Sequence, residues 1–99
     1  MNNKKNDLNL NLGVQPLDTL MIKNKWTNNF IVKNSLSQLT HKQLQKGRKG
    51  RRLTAKIQNK ILESVNICLF PKKVEIGDLF TYYGNKSLRE IEKDLKKTT

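Results

Sequence analysis

Residues 54 to 69 read T-A-K-I-Q-N-K-I-L-E-S-V-N-I-C-L and form the most regular apolar pattern in the 99-residue chain. On a helical projection, an arc of about 140° holds the side chains of Ile57, Ile61, Leu62, Val65, Cys68 and Leu69. Gln58 interrupts this arc, Thr54 is a suitable N-cap, and Pro71 ends the segment. The pattern therefore predicts an amphipathic helix that buries one face.

Helices are also predicted on both sides of this segment. The sequence from Ser35 to Gln38 has the form of a capping box, so we predict a helix from Ser35 to Gln45 that stops at Gly47. A second capping box, from Ser87 to Glu90, predicts a helix near the C-terminus. These signals predict a short domain built mainly from helices.

The first 34 residues lack a comparable pattern. Leu8, Leu10 and Leu12 alternate with asparagines, but asparagine is a poor strand former and chain termini are often loosely held. Trp26 has two interpretations, an anchor that packs on the core or a platform that stacks on a nucleobase. We therefore predict that residues 1–34 are an Asn-rich N-terminal tail, partly disordered or loosely packed.

Together these patterns predict a mostly α fold. We expect a small domain of three to four helices over residues 35–97, with room for one short β element. So short a domain has a marginal core, and homodimerisation or ordering on a partner would stabilise it.

Positive charge is concentrated in one part of the chain. Residues 19–62 hold eleven lysines and arginines and no acidic residue, so this part accounts for +11 of the formal net charge of +12. Three of the four arginines lie between Arg48 and Arg52. A charge so localised indicates a polyanion partner, whereas a solvated basic loop without a binding role is the simpler alternative.

The basic connector, residues 46–52, reads K-G-R-K-G-R-R. Its glycines would make it flexible and allow the backbone to approach a polyanion closely, while its side chains reach several phosphates. We predict that DNA or RNA binds to basic residues in the connector and on the adjoining helices. These residues are Lys42, Lys46, Arg48, Lys49, Arg51, Arg52, Lys56 and Lys60.

A helix-turn-helix unit at the C-terminal end is a weaker interpretation. Asp78 to Gly84 fits a short first helix, and the helix that begins at Ser87 would be the second. That second helix carries Glu90, Glu92 and Asp94, whose charges oppose those of phosphates. The basic connector and the neighbouring helix face are therefore favoured as the binding surface.

The sequence offers no catalytic constellation. His41 is the single histidine and Cys68 the single cysteine, and neither has metal-ligand or nucleophile–base spacing to other residues. We predict no enzyme activity, no cofactor and no metal. One cysteine cannot form an internal disulfide, and no apolar run is long enough to span a membrane, so we expect a cytoplasmic protein. Association with the nucleoid or with the ribosome is left open by the sequence.

The sequence thus predicts a small basic nucleic-acid-binding protein that acts as a regulator of transcription or as an accessory factor. Its binding would depend mainly on phosphate neutralisation. The alternative is a non-enzymatic adaptor whose basic strip docks an acidic protein partner. A membrane surface is disfavoured because the cationic face has no adjoining apolar stripe.

Overall fold

The computed structural model describes residues 12–84 and 86–87. Four α-helices make up most of this part of the chain, followed by a 3₁₀ turn and a short hairpin. In chain order the elements are α1 (Pro16–Lys23), α2 (Asn28–Asn34), α3 (His41–Lys49), α4 (Ala55–Leu69), the 3₁₀ turn (Ile76–Asp78), β1 (Tyr82–Tyr83) and β2 (Lys86–Ser87). The two strands are antiparallel, with Tyr82 opposite Ser87. The predicted mostly helical fold with one small β element is confirmed.

The longest helix, α4, follows the predicted pattern. Thr54 is its N-cap, and the Thr54 hydroxyl oxygen accepts a hydrogen bond from the backbone N–H of Ile57 at 3.3 Å. α4 packs against α2, α3 and the 3₁₀ turn. The buried core around it consists of Leu17, Met21, Ile31, Leu39, Leu44, Leu53, Ile61, Val65, Leu79, Phe80 and Tyr82.

Residues 16–34, which the sequence analysis included in the tail, carry α1 and α2. Leu17, Met21 and Ile31 from these helices are fully buried. Trp26, between the two helices, is half-buried and packs against the same core, as expected of an anchor. The two helices are short and separated by polar turns, so no single apolar period in the sequence is long enough to indicate them.

The helix predicted from Ser35 begins later, as α3. Thr40 and Gln43 form its capping box: the Gln43 N–H donates to Thr40 Oγ1 and the Thr40 N–H donates to Gln43 Oε1, both at 3.1 Å. The Ser35 hydroxyl oxygen instead accepts hydrogen bonds from the backbone N–H groups of Ser37 and Leu39. Residues 35–40 are therefore a non-helical connection between α2 and α3.

The short helix predicted from Asp78 to Gly84 is wrong. Only the single 3₁₀ turn is present, and Leu79 and Phe80 leave it to enter the core. The predicted C-terminal helix that begins at Ser87 lies, beyond Ser87 itself, outside the described residues. No helix within the described ranges has the length and apolar character required to cross a bilayer.

Gln58 holds the hairpin against α4. The side chain is fully buried, its Nε2 donates to the backbone oxygen of Tyr82 at 3.0 Å, and its Oε1 accepts from the N–H of Gly84 at 2.7 Å. The amide is buried within the apolar arc because both of its polar atoms have backbone partners there.

Candidate nucleic-acid interface

The helix α3 presents a polar face to solvent and a narrow apolar face to the core. Lys42, Lys46 and Lys49 are exposed and are spaced four and three residues apart, so they form one row along the helix. Leu44 and Gly47 are buried on the opposite side. None of the three lysine ammonium groups forms a hydrogen bond or an ion pair with a described residue. This basic row is free to contact a ligand.

Gly47 does not end α3 but lies inside it, against the core. A Cβ atom at this position would lie 3.1 Å from Cδ1 of Ile61 and 3.1 Å from Cδ1 of Leu53. Such contacts are shorter than ordinary van der Waals separations, so the missing side chain lets α3 pack closely on its neighbours. Residues 46–52 were predicted to be a flexible connector, whereas residues 46–49 form the last turn of a packed helix.

The end of α3 is set by Gly50. Its φ of +95° lies in the left-handed region, and its N–H donates to the carbonyl oxygens of Lys46 and Gly47. Its own carbonyl accepts a hydrogen bond from the N–H of Leu12 at 2.7 Å. The Arg51 N–H also donates to Lys46 O, at 2.9 Å, while the Arg51 side chain is exposed. Backbone hydrogen bonds therefore define the path of the chain between α3 and α4.

Arg48 is held by protein groups. Its Nε donates to Oδ1 of Asp18 at 2.6 Å, and its Nη1 donates to Oδ1 of Asn28 at 2.7 Å. Asn28 in turn donates from Nδ2 to Oε1 of Gln45 at 2.7 Å. Four side chains thus tie α3 to α1 and α2, and the Asp18 carboxylate compensates the charge of Arg48.

The Arg52 side chain also interacts with groups of the protein itself. Its Nη1 donates to the backbone oxygen of Gly84 at 2.6 Å, and its guanidinium carbon lies 5.0 Å from the ring centroid of Tyr82. The Tyr82 hydroxyl accepts a hydrogen bond from the Leu53 N–H at 2.8 Å. Burial raises the pKa of this hydroxyl, while that hydrogen bond and the charge of Arg52 act in the opposite direction. Arg52 therefore holds the hairpin and the start of α4 together.

Lys56 and Lys60 lie on the outer side of α4 rather than on α3. Lys56 is exposed and Lys60 is half-buried. Glu63 follows Lys60 by three residues on the same helix side, so a carboxylate interrupts the positive charge there. The basic side chains of α4 are thus a smaller and less uniform surface than the row on α3.

The eight predicted residues fall into three groups. Lys42, Lys46, Lys49 and Arg51 lie exposed on or just after α3, Arg48 and Arg52 bind protein acceptors, and Lys56 and Lys60 belong to α4. Asp18, Asn28 and Gln45, which fix α3 in position, were not among the predicted residues. Among the described residues, no group of histidine, cysteine or acidic side chains could hold a metal ion.

Comparisons of the chain with models of protein families, with curated proteins and with solved structures found no match.

Proposed function

We propose that the protein binds nucleic acid and that α3 is its contact helix. The main support is the composition of the outward face of this helix. Leu44 is the one apolar residue of α3 and it is buried, whereas His41, Lys42, Lys46 and Lys49 are exposed. Protein–protein interfaces have an apolar core, while nucleic-acid interfaces are polar and positively charged. The outward face of α3 therefore favours nucleic acid over an acidic protein.

Duplex DNA is the ligand that suits this face best. The major groove of B-DNA admits an α-helix, whereas the major groove of duplex RNA is too narrow for side chains to read. α2, the connection at residues 35–40 and α3 follow each other in the order of a helix-turn-helix unit, in which the second helix enters the major groove. The connection is longer than the usual turn of about three or four residues. The pair α2–α3 therefore differs from the shortest helix-turn-helix units in the length of its connection.

Each basic residue has a chemical role in this proposal. Lys42 and Lys46, in the first two turns of α3, would lie at the groove, where each would neutralise a phosphate at the groove edge and could also donate to the O6 and N7 atoms of guanine. Lys49 and Arg51, at the end of the helix, would neutralise phosphates on the flanking strand. Arg48 would set the direction of α3 through Asp18 and would not itself contact DNA.

The biological role we propose is that of a non-enzymatic regulator or accessory factor. Few side chains on α3 offer the bidentate hydrogen bonds that separate one base pair from another, since Gln45 is engaged with Asn28 and Gln43 with Thr40. Affinity would therefore come mainly from phosphate contacts, and sequence selectivity would be modest or based on DNA shape.

Fluorescence anisotropy with four labelled polyanions tests the proposal. The ligands are duplex DNA, one of its strands, duplex RNA of the same sequence, and poly-glutamate as a protein-like polyanion. The protein is compared with a variant, K42Q/K46Q/K49Q, and with a matched control, K23Q/K25Q/K72Q, that loses the same charge from exposed lysines away from α3. We expect duplex DNA to bind most tightly, and only the first variant to lose most of this affinity.

Other outcomes would overturn parts of the proposal. Preference for a single strand or duplex RNA would retain nucleic-acid binding and exclude the groove-reading role of α3. Equal losses in the two variants would exclude α3 as the contact helix. Tightest binding to poly-glutamate, or no binding to any nucleic acid at low salt, would favour the adaptor for an acidic protein.

A further inference from the structure

A second surface lies at the C-terminal end of α4. Its exposed side chains include large apolar ones, whereas the outward face of α3 is charged. Phe70, which follows the last residue of α4, has 81% of its surface exposed, and Ile67 has 36% exposed. The two residues lie three positions apart, so their side chains project on the same side of the chain. A phenylalanine this exposed loses most of the stabilisation that burial of its ring would give.

A groove lies beside this exposed ring. Its volume is about 400 Å³, and its apolar lining comes from Leu62, Ile67 and Phe70. Both a protruding aromatic ring and an apolar recess are therefore present on one face of the chain. An isologous contact across a two-fold axis needs both features on one face, because each copy then supplies a ring and a recess.

The charges at the groove have the same self-complementary arrangement. Glu63 and Lys73 both line it and both are exposed. They do not pair with each other, and Lys73 has no hydrogen bond or ion pair with a described residue. Glu63 accepts a hydrogen bond from the Ser37 hydroxyl, which leaves its second carboxylate oxygen available. In a two-fold contact on this face, Glu63 of one copy would be available to pair with Lys73 of the other, twice.

We propose that this face, made of Leu62, Glu63, Ile67, Phe70 and Lys73, binds a second copy of the chain. Phe70 of each copy enters the groove of the other, and the two Glu63–Lys73 pairs flank the apolar contact and fix its register. The proposal does not depend on nucleic-acid binding, because the face lies on α4 and not on the basic row of α3.

Analytical ultracentrifugation of the full chain, from about 1 µM to about 500 µM protein, tests the dimer without any ligand. We expect a dimer whose dissociation constant rises about hundredfold in the variant Phe70→Ser, because the substitution removes both copies of an interface anchor. Ile22→Ser is the matched control, since Ile22 is 63% exposed on α1 and does not line the groove. We expect Ile22→Ser to leave the dissociation constant unchanged.

A charge exchange provides a second test that does not remove apolar surface. Glu63→Lys and Lys73→Glu should each weaken the dimer, because each sets like charges against one another, and the double variant should restore it. A protein that is monomeric throughout the concentration range would overturn the proposal. A dimer that survives Phe70→Ser, or a double variant no stronger than either single variant, would overturn it as well.

Discussion

Nε of Arg48 donates a hydrogen bond of 2.6 Å to Oδ1 of Asp18, which joins α3 to α1 across thirty positions of sequence. The two side chains are 18% and 22% exposed, so solvent screens their interaction only in part. A second guanidinium nitrogen reaches Asn28 on α2. One arginine in the most basic part of the chain thus orients α3 rather than contributing an exposed charge.

We predict that Arg48→Lys destabilises the protein by about 1–2 kcal/mol, because one ammonium group cannot reproduce the forked hydrogen bonds to Asp18 and Asn28. The control is Arg51→Lys, which is the same substitution at an exposed side chain. It should change the free energy of unfolding by less than about 0.5 kcal/mol. Urea unfolding followed by circular dichroism measures both. Equal effects of the two substitutions would contradict the structural role of Arg48.

The glycine pair Gly13 and Gly50 supports a second prediction. Both have positive φ, +84° and +95°, but only at Gly50 would a Cβ atom collide with backbone, 1.7 Å from the carbonyl oxygen of Gly13. At Gly13 an added Cβ has nothing within 4 Å. Gly13→Ala should therefore lower the free energy of unfolding by about 1 kcal/mol, because only the positive φ is unfavourable for alanine. Gly50→Ala should lower it by more than about 3 kcal/mol, because the Cβ atom also collides with the backbone of Gly13.

Thermal and urea unfolding of the two glycine variants give the comparison. Gly50→Ala should separate residues 12–13 from the end of α3 and break the hydrogen bond from Leu12 to Gly50. If the two substitutions lowered the free energy of unfolding by the same amount, the predicted collision between residue 50 and the backbone of Gly13 would be contradicted.

Tyr82 leads to a prediction about pH. Burial raises the pKa of its hydroxyl above the ordinary value of about 10, so the unfolded chain loses this proton at lower pH than the folded protein does. The resulting stability is complete below about pH 10 and is lost as the pH rises from there through the raised value. The free energy of unfolding should therefore fall over this pH range, in addition to any change caused by other groups.

The variants Tyr82→Phe and Tyr83→Phe separate this effect from the titration of lysines. At neutral pH, Tyr82→Phe should cost about 1–3 kcal/mol, because the buried N–H of Leu53 loses its acceptor. Above pH 10 the difference from the parent protein should shrink. Tyr83→Phe is the control for loss of a tyrosine hydroxyl that has a side-chain partner: at neutral pH it removes only a hydrogen bond from Asn59 Nδ2 at the surface and should lower the free energy of unfolding by less than Tyr82→Phe does. A constant difference across the range for Tyr82→Phe would refute the predicted pKa direction.

The sequence was sufficient where one pattern extends over several turns. α4 was predicted from its apolar arc and its Thr54 cap, and the structure agrees to within one residue. Gln58 looked like an interruption of that arc because its partners, the backbone groups of Tyr82 and Gly84, come from a hairpin more than twenty positions away. Long-range hydrogen bonds of this kind leave no periodic signal.

The start and end of α3 were harder to predict because two capping boxes and two glycines compete within a short segment. Thr40 and Gly50 are used, and Ser35 and Gly47 are not. Gly47 continues the helix because its missing side chain allows the helix to pack on Leu53 and Ile61, which is a tertiary effect. The sequence therefore predicted a flexible connector where the structure has a helix end.

Part of the exposed basic row could be predicted from the sequence. The spacing of Lys42, Lys46 and Lys49 is visible in the sequence, and the structure adds that their row faces outward on α3. The engagement of Arg48 by Asp18 could not be predicted, since nothing in the local sequence connects residues so far apart. Arg52 likewise meets its acceptor, the carbonyl of Gly84, only through the folded hairpin.

The salt dependence of DNA binding tests the central claim, that the α3 row contacts DNA, most directly. If Lys42, Lys46, Lys49 and Arg51 each neutralise one phosphate, the logarithm of the binding constant should fall against the logarithm of salt concentration with a slope of about −4. The variant K42Q/K46Q/K49Q should reduce the steepness by about 3, and the control K23Q/K25Q/K72Q by less than about 1. Slopes that change equally in the two variants would contradict the account, because binding would then depend on total charge and not on α3.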